Sequence, residues 1–185
     1  MIRYNPRMSS FCRNVAALVC CAVLAMGLSG CRSRSQTPPA DGGTELAPAG
    51  APAMLIDVPE EYKVSARKGA DFDVFYIQRE KTLKGETPRD GMGVYVGHAP
   101  DFAPPKEAET ASGTIAGHPV TWYSWEDDTS DRTLLRVQTL VPDFFKGAKD
   151  QASGVAGLKV HIFIWAPGER RLNLLRDAAQ SLRLK

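Results

Sequence analysis

The side chains of this chain that could do covalent, metal or acid–base chemistry are few, and their spacing keeps them apart. Of four cysteines, Cys12, Cys20 and Cys21 fall within the first 30 residues; Cys31 follows the small pair Ser29-Gly30. His98, His118 and His161 stand on separate segments, with neither an i, i+4 helical pair nor a cysteine partner, so no metal site is expected. His118 lies in a Gly-His-Pro turn and His161 alternates with core residues, so both read as structural or solvent-facing. Glu126, Asp127, Asp128 and Asp131 carry enough charge for calcium. An EF-hand loop counted from Glu126, however, needs glycine and glutamate where the chain has Asp131 and Val137. The run reads as a solvated hairpin tip. Ser124, Ser130 and Ser153 lack a Gly-x-Ser-x-Gly context. In Gly91-Met92-Gly93-Val94-Tyr95-Val96-Gly97 the third glycine comes one place late for a dinucleotide loop, and no helix pattern follows. Those glycines suit a turn and close strand approach. No catalytic residue and no cofactor is expected.

The surroundings of Cys31 are more specific. Arg3, Arg7 and Arg13 make a basic start without an acidic residue, and Val15–Leu28 is almost wholly apolar. That run is too short for a bilayer span of about 20 helical residues, and it has the order of an export signal. Leu28-Ser29-Gly30-Cys31 resembles the lipobox of bacterial lipoproteins at all four positions. The resemblance implies cleavage between Gly30 and Cys31 and a diacylglyceryl thioether on the Cys31 thiol, with further acylation, such as palmitate, of the freed amine. Two or three acyl chains make a durable membrane anchor where one does not. Arg32 stands where an aspartate would signal inner-membrane retention, which implies the outer membrane, facing the periplasm.

Composition agrees with that expectation. Removing the first 30 of 185 residues leaves 155, enough for one domain and a tail. The same cut turns 23 basic against 21 acidic residues into 20 against 21, so no nucleic-acid partner is expected. With Cys31 lipidated, no thiol remains for a disulfide, and the domain must rest on its core.

Three regions are expected. Residues 1–30 are the signal. Residues 31–53 are a lipid-anchored linker of Ser, Pro, Ala, Gly and Thr, with Leu46 its only large aliphatic residue. It would span about 25 Å as a coil and about 68 Å as polyproline. Residues 54–185 form a single α+β domain. Its expected strands are Met54–Val58, Phe72–Arg79, Met92–Val96, Thr110–Ala116, Val120–Trp125, Thr133–Val141 and Leu158–Trp165. Gly117-His118-Pro119 is the expected turn, and 80–91 and 126–131 are loops. Leu158, Val160, Ile162 and Ile164 share one strand face. Leu172, Leu175, Ala178, Ala179 and Leu182 form the stripe of a C-terminal helix that covers the antiparallel sheet on that face.

Phe72-Asp73-Val74-Phe75-Tyr76, Thr114-Ile115-Ala116-Gly117-His118-Pro119-Val120 and a last strand plus helix ending Ala179-Gln180-Ser181-Leu182 resemble the PsbP-like superfamily. The resemblance implies an α+β fold. It implies no activity, because that superfamily shares none.

Alternation places one further set. If Val120, Trp122, Leu135 and Val137 face the helix, then Tyr123, Trp125, Arg136, Gln138, His161, Phe163 and Trp165 face away from it. Tyr123, Trp125, Arg136, His161, Phe163 and Trp165 are the candidate binding surface, unless Met54–Lys68 or Asp143–Ser153 folds over them as a second core layer. The function expected is a lipid-anchored, non-enzymatic binding or assembly module for another envelope protein. The alternative is a small-ligand-binding protein or enzyme using the helix-free face, and a concave pocket with a perturbed histidine would distinguish it.

Overall fold

Period-two alternation builds most of this molecule. The computed structural model describes residues 42–79, 89–128, 132–147 and 155–185. The export signal, the Leu28-Ser29-Gly30-Cys31 motif, the first part of the linker, Ser130, Asp131 and Ser153 lie outside the described residues. Ten strands and one helix follow in chain order: β1 (Thr44–Leu46), β2 (Met54–Ile56), β3 (Tyr62–Lys68), β4 (Phe72–Arg79) and β5 (Gly91–Gly97), then β6 (Glu109–Ile115), β7 (His118–Asp128), β8 (Thr133–Val141), β9 (Lys159–Ala166), α1 (Glu169–Gln180) and β10 (Arg183–Leu184). Seven strands make one antiparallel sheet in the order β3-β4-β5-β9-β8-β7-β6; β1, β2 and β10 make a small second sheet. The class is α+β, antiparallel, with the helix on one face.

The register puts Ile77, Met92, Ile164 and Val137 side by side in one row, and Phe75, Val94 and Ile162 in the next. This inner face is covered by Leu172, Leu175, Ala178 and Ala179 of α1 and by Leu46, Met54 and Ile56 of the small sheet, all in one hydrophobic cluster. Gly168 before α1 gives no side-chain cap, but Glu169 sets a negative charge in its first turn. At the other end the Ser181 hydroxyl donates to Ala178 O (2.6 Å) and accepts from Asp57 N (2.8 Å), tying helix to small sheet.

A polar clamp fixes the helix start. Tyr62 Oη donates a short hydrogen bond to the buried Asp90 carboxylate. Arg171 of α1 reaches Glu61 at 2.8 Å and Asp90 at 3.5 Å, and Arg79 holds Glu61 at 2.6 Å. Burial first, then the hydrogen bond to Asp90, pushes the Tyr62 hydroxyl up to about 12.

Several boundaries differ from the sequence expectation. Order begins before Met54: Thr44–Leu46 of the expected linker pairs with Ile56–Met54, and Leu46 is fully buried. Burying one such side chain is worth about 2 kcal/mol, and pairing with β2 supplies the rest. The turn before β7 is Ala116-Gly117, both at positive φ (49° and 81°), so His118 and Pro119 belong to the strand. Glu126–Asp128 is strand, not hairpin tip. Arg136 binds Asp127 through two nitrogens, both at 2.9 Å, and Thr133 Oγ1 donates to Asp128 Oδ1 at 2.6 Å. β3 leaves no mark in the sequence because only Tyr62 in it is buried, and an edge strand facing water has no apolar alternation to show. No helix among the described residues is long and apolar enough to cross a membrane.

Candidate functional site

The outer face of the large sheet carries the expected set. Trp125 pairs with Arg136, and Arg136 with Trp165; Tyr123 pairs with Gln138, and Gln138 with Phe163. His161 lies opposite Leu140 on one side and Tyr95 on the other. Of the two expected covers, residues 148–153 lie outside the described residues, and the described parts are placed elsewhere. Met54–Ile56 and Tyr62–Lys68 are strands of the two sheets, and Phe144 and Phe145 are buried in the cluster that includes the inner-face residues. The cover comes instead from the β5–β6 connection, where Phe102 packs edge-on against His161 (5.4 Å) and Tyr123 (5.6 Å).

Glycines of β5 shape what remains. Gly93 and Gly91 stand opposite Phe163 and Trp165, whose rings lie across them: a Cβ on Gly93 would sit 2.0 Å from Phe163, and one on Gly91 2.6 Å from Trp165. The Gly91–Gly97 stretch is therefore strand interior, where missing side chains give aromatic rings a place to lie down. Phe163 stacks on Trp165 (6.1 Å) and meets Tyr76 edge-on (6.2 Å).

Beside this floor is a cavity of about 470 Å³, open to solvent and within the usual range for small-molecule sites. Phe72 and Val74 of β4 and Tyr95 of β5 make one wall, with Phe72 and Tyr95 stacked at 5.5 Å. His161 and Phe163 of β9 and Gln138 of β8 continue the lining across the sheet, and the exposed Asp71, Ala99 and Asp101 form the rim. His161 is only 4% exposed, and its Nε2 lies 3.2 Å from Gln138 Oε1. Burial pulls its pKa down to about 4, against a smaller upward pull from Asp101. The imidazole is therefore neutral at pH 7 and offers one donor and one acceptor nitrogen. Burial also raises the Tyr95 hydroxyl, as does the charge of Asp71. No lysine or arginine lines the cavity; Arg67 and Lys159, which pair with Val74 and Gly97, are not part of its wall.

The six expected residues thus do not form one site. His161 and Phe163 line the cavity, and Tyr123 adjoins it through Phe102. Trp165 extends the aromatic floor over Gly91. Trp125 and Arg136 instead border a polar groove beside α1, with Glu109, Glu169 and Arg176. Of the two bland readings of His161, structural or solvent-facing, its burial excludes the second, and the ring also lines the cavity. Sequence reading missed Asp71, Phe72, Tyr95 and Asp101. Phe72, Val74 and Tyr76 do alternate visibly on one side of β4, but nothing in the sequence says that β4 and β5 join the same floor as β9. The cavity wall holds no serine, cysteine or lysine nucleophile, and no group of metal-ligating side chains occurs among the described residues. What the wall offers is apolar ring surface, a neutral imidazole and two carboxylates. No family model, curated protein or solved structure matches this chain.

Proposed function

We propose that this chain is a lipid-anchored protein of the bacterial envelope, held to the outer membrane on its periplasmic side by acyl chains on Cys31. Its domain, on this reading, is a non-enzymatic binding module whose ligand is a small molecule seated at His161. The observation that carries the second half is the 470 Å³ cavity with a buried, neutral histidine in its wall. A flat aromatic patch would have favoured a protein partner; a concave one favours a ligand it can surround. The resemblance to lipoproteins supports the anchor. The order of strands and C-terminal helix supports a PsbP-like domain, a likeness that brings no activity with it.

One experiment reads both halves: intact and native mass spectrometry of the protein extracted from its own membranes. The denatured mass should fit a chain that starts at Cys31 and carries a diacylglyceryl group. The native spectrum should show a small-molecule adduct that Phe163→Ala loses. An unmodified full-length mass would refute the anchor. Absence of an adduct, together with a protein partner lost in Trp125→Ala, would replace the pocket with a docking surface.

A further inference from the structure

We propose that the cavity at His161 takes a small organic cation, an ammonium-bearing molecule with an apolar body; this rests on the pocket reading above and narrows its ligand class. Three aromatic side chains, Phe72, Tyr95 and Phe163, line one space, two of them stacked on each other. Aromatic faces carry negative quadrupole potential, and a cation within about 6 Å of a ring is attracted to it. Phenylalanine and tyrosine faces alone would serve a neutral ring equally well, so the charges decide.

The charges in the wall have one sign. Asp71 and Asp101 are both on the rim, and neither forms an ion pair among the described residues. A rim with two carboxylates and a lining without a lysine or arginine disfavour an anion and welcome a cation that enters between them. The buried imidazole adds no positive charge at neutral pH to oppose it. The lone pairs of its acceptor nitrogen and of the Gln138 amide oxygen favour a positive charge over a negative one. Val74 and Ala99 supply an apolar lining for the rest of the molecule.

The test is calorimetric titration of the full chain in nonionic detergent with three single-ring compounds of similar size: phenyltrimethylammonium, neutral tert-butylbenzene and anionic benzenesulfonate. Phenyltrimethylammonium should bind at least tenfold more tightly than tert-butylbenzene, and benzenesulfonate should not bind. The D71N/D101N double variant should lose that preference while holding tert-butylbenzene as the wild type does, which shows that the pocket still stands. Equal binding of cation and neutral compound, unchanged in the variant, would overturn the cation assignment and leave the pocket intact. Binding of none of the three, with the His161 ring resonances unmoved in each titration, would sink the pocket itself.

Discussion

Acidification should destabilise this protein through His161, and the size of the effect follows from its burial. The imidazole is 4% exposed and its pKa is about 4 when folded, against 6.5 for an exposed histidine. Between those values the unfolded chain holds a proton that the folded chain refuses, so stability is highest above pH 6.5 and falls as the pH drops through this window. The full difference corresponds to about 3 kcal/mol, reached below pH 4, and about 2 kcal/mol of it is already lost at pH 5. Carboxylates titrate over part of the same range, so the measurement compares wild type with His161→Gln. Urea unfolding followed by tryptophan fluorescence at pH 7 and pH 5 should show the wild type losing about 2 kcal/mol more than the variant, roughly 1 M in midpoint. The comparison is of slopes with pH, so any cost of the substitution itself at pH 7 cancels. Identical pH dependence in the two proteins, or an imidazole resonance titrating near 6.5, would refute the reasoning. Either would mean that water reaches this ring.

Two further outcomes test the frame around the cavity. Tyr62→Phe removes the hydroxyl that donates to buried Asp90 and leaves that carboxylate with Arg171 at 3.5 Å, so urea unfolding should report a loss of about 1–3 kcal/mol; an unchanged midpoint would mean Asp90 finds water. Gly93→Ala places a methyl group 2.0 Å from the Phe163 ring and should cost about 1–3 kcal/mol in stability. It should also turn the ring off β5, seen as altered Phe163 resonances, and weaken whatever the cavity binds; a variant as stable as wild type with an unmoved ring would show that the strand has slack.

Legibility in the sequence followed packing asymmetry. The pattern of β8 and β9 is legible because Val137, Val141, Val160, Ile162 and Ile164 are buried on one covered face, and that of α1 because its stripe covers that face. The outward residues of those strands were readable by the same parity. β3 and β1 were not, since three or more consecutive exposed residues in one and a two-to-one exposed majority in the other leave no period to detect. The cavity was half legible. Phe163 and His161 follow from parity on β9, whereas Asp71 and Asp101 come from connections, and their convergence depends on β4, β5 and β9 being neighbours. Strand order is a long-range property. Only β4–β5, a consecutive pair, was open to inference from the sequence; the step from β5 to β9 crosses more than 60 residues of chain.

The same asymmetry explains why a cavity exists at all. A seven-stranded sheet has two faces, and the described residues supply one helix and a three-stranded sheet with which to cover them. Both go to the inner face. The outer face carries Phe72, Tyr76, Tyr95, Tyr123, Trp125, Phe163 and Trp165, too much aromatic surface to leave standing upright in water. Three devices reduce that exposure. Phe163 and Trp165 lie flat on the glycines of β5, Phe72 and Tyr95 stack on each other, and Phe102 folds back over Tyr123 and His161. Those groups close in from different sides, toward β5, toward β4 and toward β7. The hollow is the space they leave between them, over His161. Packing for stability alone would have filled it with one more large side chain at Val74 or Ala99, both of which face it. Val74 and Ala99 at those two positions leave the space open beside a buried polar ring that costs stability in acid, and the ligand proposed above would use that space.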